Sequence, residues 1–595
     1  MQTIKAFLIV FLFILNNGHN LDAQGTAKKS PDTEKAKDAS KIQWFRDAKF
    51  GLFIHWGLYS KLGGEWNGKR YYGSGEWIMN QAKISAKEYA RIANDFNPVD
   101  FNAEKWALLA KDAGVKYMVI TAKHHEGFSM FDSKVSRFNI VDATPYKKDP
   151  MKELSSACRR AGVKFGFYYS QFLDWHEPDG GGNDWDFDEK NKDYQQYYQQ
   201  KSIPQLKELL TNYGPLGIIW FDMPGGLSKE RTALMIDTLK ALQPGALFSS
   251  RVGNGLGDYI DFGDSETPPT PINDVWEAIY THNDTWGYIK HDMNFKSSKE
   301  IIQILANVVS KGGNLMLNIG PDGNGDIPYY SIKFLKETGN WLKENGESIY
   351  GTTYGFIPAQ PWGVTSSKPG KLFLHVFEEP LNYRVLVPGF KEKVTKIYKL
   401  SNKMPVTWYK KGSDLFVNIS PGTHSPDQVF VVEYEGKKPA YDSSAATMVT
   451  TQFKENYIDA ISAKVSGNAA INSLTFSHYF GDWKHAVCIT DQRNPEDGVL
   501  FNIRVEDKGD YKIILEYACS GASANQEGSI EMNGQYFLFR TLHSGEFNAG
   551  EPLMFMQHSI AVVGIKKPGY YSMLIKPLKP GNELFKLKRV ILQPI

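Results

Sequence analysis

At 595 residues the chain is too long for a single hydrophobic core, and at about 150 residues per domain it divides into about three or four units. Lys and Arg number 68 against 66 Asp and Glu, a balance that offers no electrostatic case for nucleic acid or an anionic membrane surface. Aromatic residues make up 13%, a level that suits sugar-binding surfaces and large β-rich proteins alike.

At the N-terminus Lys5 precedes the apolar run Ala6 to Leu15, and the small-residue stretch Leu21-Asp22-Ala23-Gln24 follows. This order predicts a secretory signal peptide over residues 1–23, cut near Ala23, and hence an exported protein, periplasmic or secreted. The apolar run is too short for a membrane span, and no later stretch approaches ~18 consecutive apolar residues. With no Cys at the cleavage point, no lipid anchor is expected there. Residues 24–40 are rich in Lys, Asp, Ser and Ala without periodicity and read as a disordered leader.

From residue 41 to 352 helical and strand-like segments alternate. The apolar spacing of Ala103 to Ala113 predicts a helix that stops at Gly114, before a strand from Lys116 to Lys123. A helix over Met151 to Arg160 ends at Gly162 before a strand from Lys164 to Ser170. The same order recurs with Thr232 to Leu242 before Ala246 to Arg251, and with Lys299 to Ser310 before Leu315 to Ile319. Such alternation predicts a (β/α)8-like TIM barrel. A doubly wound sheet is the competing fold, but the Gly-rich nucleotide fingerprint that fold places after its first strand is missing.

Beyond Tyr350 the helical period gives way to short strands punctuated by Pro and Gly. Lys371 to Phe377, Tyr383 to Val387 and Asp414 to Ile419 predict an antiparallel β-sandwich over residues 353–437. A linker around Glu435 to Ala440 leads to a second β-sandwich over 448–595, jelly-roll-like, with strands such as Tyr511 to Tyr517 and Tyr571 to Ile575. In it Tyr479, Phe480 and Trp483 suit a sugar platform and core packing equally, so the module either binds carbohydrate or braces the barrel. Of the three cysteines, Cys488 and Cys519 share this segment and are the pair an oxidising compartment could join; three buried free thiols are the favoured reading. None has metal-site spacing.

The chemistry gathers at strand ends. Leu216-Gly-Ile-Ile-Trp-Phe-Asp222 is a short apolar run ending in one acid, which reads as a buried parallel strand stopping at a loop. Alone, Asp222 could equally cap a turn or pair with an Arg. Three other runs end the same way, at His55, at His124-His125 and at Tyr168-Tyr169-Ser170, and strand C-termini are where barrels carry their sites. Two consecutive His at a strand end cannot both point inward, which argues against a purely buried role.

Lys49 to Gly57, Gly75-Glu-Trp77, Ala122-Lys-His-His-Glu-Gly-Phe128, Trp220-Phe-Asp222 and Ser310 to Pro321 stand in one order. Together they resemble family 29 of the glycoside hydrolases, the retaining α-L-fucosidases, over about residues 40 to 437, leaving the last module outside. The resemblance implies Asp222 as nucleophile, held ionised beside Trp220 and His donors. Retention needs a second carboxyl about 5 Å away as acid/base. Glu266, on a Pro-fixed loop, is preferred; Glu277, read as a strand-end residue, is the alternative, and Asp264 a weaker third. Motif correspondence implies a fucose pocket of His55, Glu76, Trp77, His124, His125, Tyr169, Trp220 and Arg251, with no cofactor and no metal. The partner is a fucosylated oligosaccharide or glycoconjugate. The short Met-Pro-Gly-Gly connection after Asp222 and the Gly/Pro-rich stretch from Gly253 to Asp274 suggest the branch selective for α-1,3/1,4-linked fucose. A broad-specificity fucosidase, a non-catalytic fucose-binding protein, and a metal-dependent barrel hydrolase using His55, His124, His125 and Asp222 are the competing readings.

Overall fold

The structure, a computed structural model, describes residues 41–422, 425–443, 445–477, 483–545 and 553–595. The expected signal peptide and leader lie outside the described residues, as do Tyr479, Phe480 and the side chain of Trp483. The chain divides into two compact units: Met1–Gln43, of which 41–43 are described and helical, and Trp44–Ile595, which contains all the sheets.

Eight parallel strands build the first part of the larger unit: β1 (Phe50–Ile54), β2 (Tyr117–Lys123), β3 (Lys164–Ser170), β4 (Ile218–Asp222), β5 (Leu247–Phe248), β6 (Ile260–Asp261), β7 (Trp276–Thr281) and β8 (Asn314–Ile319). Their order is β5-β4-β3-β2-β1-β8-β7-β6. A parallel bridge from Ser249 to Tyr259 joins the two end strands, and Asp258 N donates to Phe248 O at 2.8 Å. The sheet therefore closes into a barrel. Sequences such as FGLFI and NLMLNI are buried along their whole length, as strands covered on both faces must be.

Helices α1 (Ala103–Asp112), α2 (Pro150–Ala161), α3 (Ile203–Asn212), α4 (Lys229–Lys240), α5 (Ser298–Val309) and α6 (Tyr329–Asn345) wrap the barrel. Their ends follow local chemistry. Asp149 caps α2 with Pro150 at its first position and left-handed Gly162 after its last, while Ser297 and Glu300 form a capping box on α5. Two connections depart from the alternation. The predicted strand Ala246 to Arg251 stops at Phe248, and the 3-10 turn Ser250–Val252 carries the chain toward β6; the loop 262–275 then joins β6 to β7. These helix-free links leave that side of the rim to loops.

Next comes a five-stranded antiparallel sheet (Thr353–Tyr354, Gly363–Lys368, Lys371–Val376, Gln428–Glu435, Lys393–Lys399) sharing a core with a three-stranded one (Arg384–Val387, Asp414–Asn418, Trp408–Lys411). Alternation divides its faces: Leu372 and Leu374 enter the sandwich core, whereas Phe373, Val429 and Val431 join the apolar core of the barrel. The last part is two six-stranded sheets about a core including Phe501, Ile513, Leu515, Ile575 and Leu592. One contains the paired strands β9 (Ala470–Ser477) and β10 (Trp483–Thr490). The fold is thus a TIM-like barrel with two β-sandwich modules. Cys158, Cys488 and Cys519 are free and buried. No helix of the described residues is long and apolar enough to cross a membrane.

Candidate active site

β4 brings Trp220 and Asp222 to the same inward face, with Phe221 packed outward on Phe248. Asp222 ends the strand, and Met223 after it is held at φ 49°, an uncommon left-handed conformation for a residue other than glycine. Two donors reach the carboxylate: Tyr168 Oη at 2.7 Å on Oδ2, and Arg251 Nη1 at 3.3 Å on Oδ1. The guanidinium of Arg251 also lies 4.8 Å over the Trp220 ring, so it is fixed by stacking as well as by charge.

The expected His donors to Asp222 are replaced by Tyr168 and Arg251, and the reason lies in the tautomers. Ser170 Oγ spends its proton on Leu173 O at 2.8 Å, so it accepts from His125 Nδ1 at 2.7 Å. That leaves His125 Nε2 as a bare lone pair, 3.8 Å from Asp222 Oδ2. His55 Nδ1 likewise faces the amide oxygen of Asn318 at 2.7 Å, an orientation set by the Asn318 amide nitrogen donating to Trp286 O. Burial lowers His55 to about 4 and holds His124 and His125 well below the usual imidazole range. The pocket thus presents neutral imidazoles, suited to accepting hydrogen bonds from sugar hydroxyls.

His124 and His125 both line the site. β2 ends at Lys123, its register against β3 already shifted by a bulge, so strand alternation no longer governs the pair. Their rings lie 3.9 Å apart, and His124 stacks on Tyr168, which stacks in turn on Trp220. Trp77 meets His125 and Trp175 edge-on. Glu76 is buried, accepts from Gly287 N at 2.7 Å, and is pushed up by burial to about 7. Trp286, missed in the sequence, packs its ring 5.4 Å from His55.

Two expected residues fall elsewhere. Tyr169 points outward between sheet and helices, its hydroxyl donating to Gln205 Oε1 at 2.9 Å; Tyr168, one residue earlier, takes the pocket position. Glu277 is the second residue of β7 and lies at the end of the barrel opposite the rim, not at a strand C-terminus. There it is fully buried, accepting from Trp220 Nε1 at 3.2 Å and from Tyr117, whose ring crosses the floor over Gly51, where any Cβ would collide with it. Burial, then the neighbouring Asp261 carboxyl, push Glu277 far above the usual carboxylate range.

The loop after β6 brings the other carboxyls to the rim. Glu266 N donates to Gly263 O at 3.0 Å, closing a turn with Ser265 at φ 56°. Asp264 is thereby turned to Arg251, 2.6 Å from Nη2. Glu266 is turned the other way, accepting from Gly263 N at 2.8 Å and Ser473 Oγ at 3.0 Å.

Residues 18–347 match the family model described as alpha-L-fucosidase. The human plasma alpha-L-fucosidase is 31% identical over 416 residues, 64% of this chain and 86% of that protein. Among solved structures, an alpha-L-fucosidase from Vibrio sp. strain EJY3 superposes with a TM-score of 0.76 at 30% identity, covering 93% of this chain and 98% of that one. That likeness reaches past the barrel motifs into the last β module. A Bacteroides thetaiotaomicron alpha-L-fucosidase, solved as a trapped covalent intermediate with 2-fluoro-fucosyl fluoride in a Glu-to-Gln mutant, gives 0.62 at 30% identity, covering 69% and 98%. With its barrel, its rim carboxylate on β4 and these matches, the chain belongs to the alpha-L-fucosidase family of glycoside hydrolases.

Proposed function

We propose that the protein is an exo-acting, retaining α-L-fucosidase that removes terminal α-linked L-fucose, α-1,3/1,4-linked on branched glycans, by double displacement. The observation that carries this reading is Asp222 at the rim, held by Tyr168 and Arg251 within neutral imidazoles, with a loop carboxyl beyond it. In the first step an Asp222 oxygen attacks the anomeric carbon while Glu266 passes its proton to the departing glycosidic oxygen. In the second, Glu266 takes a proton from water, which displaces Asp222 from the fucosyl-enzyme. The covalent species trapped in the Bacteroides relative is the kind of intermediate this route forms.

Glu266 is preferred over Asp264 because Asp264 is committed to a charge-assisted bond with Arg251. Glu277 is the weaker alternative, being sealed beneath Trp220. His55, His124, His125, Glu76, Trp77, Trp220 and Arg251 are proposed to hold the sugar, the imidazoles accepting from its hydroxyls and Trp covering its apolar face. Export through the N-terminal signal sequence would place the enzyme in the periplasm or outside the cell.

Fucose release from a branched trisaccharide and from an activated aryl fucoside tests the assignment in wild type, Asp222→Ala, Glu266→Ala and Glu277→Ala. Loss in Asp222→Ala is expected on both substrates. Glu266→Ala should lose about 10²–10⁴-fold on the trisaccharide and regain turnover of the aryl fucoside with azide. Azide rescue of Glu277→Ala instead would move the acid/base there. Equal efficiency on linear and branched substrates would sink the linkage preference, chelator sensitivity would favour metal hydrolysis, and inactivity on every fucoside would favour a binding protein.

A further inference from the structure

The carboxylate proposed as acid/base is gripped from outside the barrel. β9 and β10 pair in register with Thr475 opposite His485 and Ser473 opposite Val487, so Ser473, Thr475 and His485 share one face. That face lies on the turn Gly263–Glu266. Ser473 Oγ donates to Glu266 Oε1 at 3.0 Å. His485 Nδ1 lies 3.0 Å from the Asp264 carbonyl, which accepts only, so this nitrogen carries the proton; Nε2 then accepts from Thr475 Oγ1 at 2.9 Å. The imidazole edge comes within 3.9 Å of Glu266 Oε2. Gly263 makes the approach possible, because a Cβ there would stand 2.8 Å from His485 Cε1 and 2.9 Å from Glu266 Oε2.

We propose that the last β module is a working wall of the active site, in which Ser473 and His485 are positioning residues for Glu266. The inference rests on the assignment of Glu266 as acid/base. Each part of the turn is held from a different direction. Arg251 takes the Asp264 carboxylate, Ile279 O takes Ser265 N at 2.9 Å, and the hairpin takes the Asp264 carbonyl and the Glu266 carboxylate. Three anchors on a four-residue turn fix the carboxyl more narrowly than the loop's own backbone bond does, and general acid catalysis demands that placement. Because the acid stands on the leaving-group side of the sugar, the hairpin also borders the space where the aglycone sits.

The test compares kcat/KM for a fucosylated trisaccharide, whose leaving group needs protonation, and a dinitrophenyl fucoside, whose leaving group does not. The full-length proteins are wild type, Glu266→Gln, Ser473→Ala, His485→Phe and His485→Asn. Ser473→Ala and His485→Phe should lose about tenfold on the trisaccharide and little on the aryl fucoside. His485→Asn, which keeps an N–H for the Asp264 carbonyl, should recover most of the loss. Equal losses on both substrates, accompanied by a lower Tm, would reduce the hairpin to a brace and overturn the proposal, as would no loss at all. Glu266→Gln separates the two ideas. If it lacks leaving-group dependence, the acid/base assignment has failed and the positioning role falls with it. If it shows that dependence and the hairpin variants do not, only the positioning role falls.

Discussion

Glu126 follows the His pair and is sealed inside the fold. It is 1% exposed, and neither carboxyl oxygen has a hydrogen-bond partner among the described residues; the nearest ring nitrogen, His124 Nδ1, is 3.8 Å from Oε2. Burial raises it from 4.5 to about 8, so it is folded in as the neutral acid. The sign of the linkage follows. Its contribution to stability is whole below 4.5 and is lost as pH rises toward 8, because the unfolded chain releases a proton that the folded one retains. Glu126→Gln keeps the shape without the titration, and the fall in Tm between pH 5 and 8 should flatten in that variant; an unchanged slope would mean the acid is ionised in place. Residue type alone does not make a site, as Ser366, His375 and Asp427 show. Ser366 Oγ lies 3.1 Å from His375 Nε2, and His375 Nδ1 2.7 Å from Asp427, in the order of a hydrolytic triad. All three are sealed between the five-stranded sheet and the barrel, on the face that Phe373 and Val429 share, and the serine hydroxyl donates to Ser348 O at 2.7 Å, which makes the set structural.

Along β3 one residue of register decides function. Tyr168 and Ser170 face the pocket and Tyr169 faces Gln205, so two chemically identical neighbours should respond differently to the same change. Tyr168→Phe removes a hydrogen bond to a charged carboxylate, worth about 1.5–3 kcal/mol, and should lower kcat/KM about 10–100-fold with the fold intact. Tyr169→Phe should cost about 1 kcal/mol of stability and leave turnover alone. Steady-state kinetics with denaturant unfolding of both variants checks this; equal kinetic losses would refute the assignment. The strands that carry the site were legible because parallel strands covered on both faces are continuous apolar runs: the ones ending at Asp222, Ser170, Lys123 and Ile54 all stand where they were expected. For the same reason the facing of Tyr168 against Tyr169 was not, since a run apolar on both sides carries no alternation to set its phase. β6 is two residues long and has no pattern to read, so nothing local marks where β7 begins, and Glu277, its second residue, reads in the sequence as a strand end.

At the scale of the molecule, the role of the last module was out of reach of the sequence. Its contacts join residues such as Glu266 and Ser473, separated by 207 positions, and no local period encodes such a meeting. The structure ties the module down at both ends. Met448 and Phe453 enter the core of the first sandwich, and Arg504 on the strand Val499–Val505 reaches Asp414 of that sandwich, Nη2 to Oδ2 at 2.7 Å, while also bonding Glu506. Both partners of the Arg504–Asp414 pair are largely buried, and Arg504 holds Asp414 below its ordinary value. A carboxylate left there without its cation is costly, so Arg504→Ala should lower stability by about 1–3 kcal/mol. More tellingly, it should loosen the seat from which β9 and β10 reach the rim. Calorimetry is then expected to resolve the unfolding of the last module as a separate, earlier transition in Arg504→Ala, against one joint transition in wild type. In the same variant trisaccharide turnover should fall more than aryl-fucoside turnover, the pattern expected of Ser473→Ala, although Arg504 itself touches neither the loop nor the pocket. A single unchanged transition with both substrates unaffected would mean that the modules are bound to one another by their apolar cores alone, and that the hairpin holds its place without this ion pair.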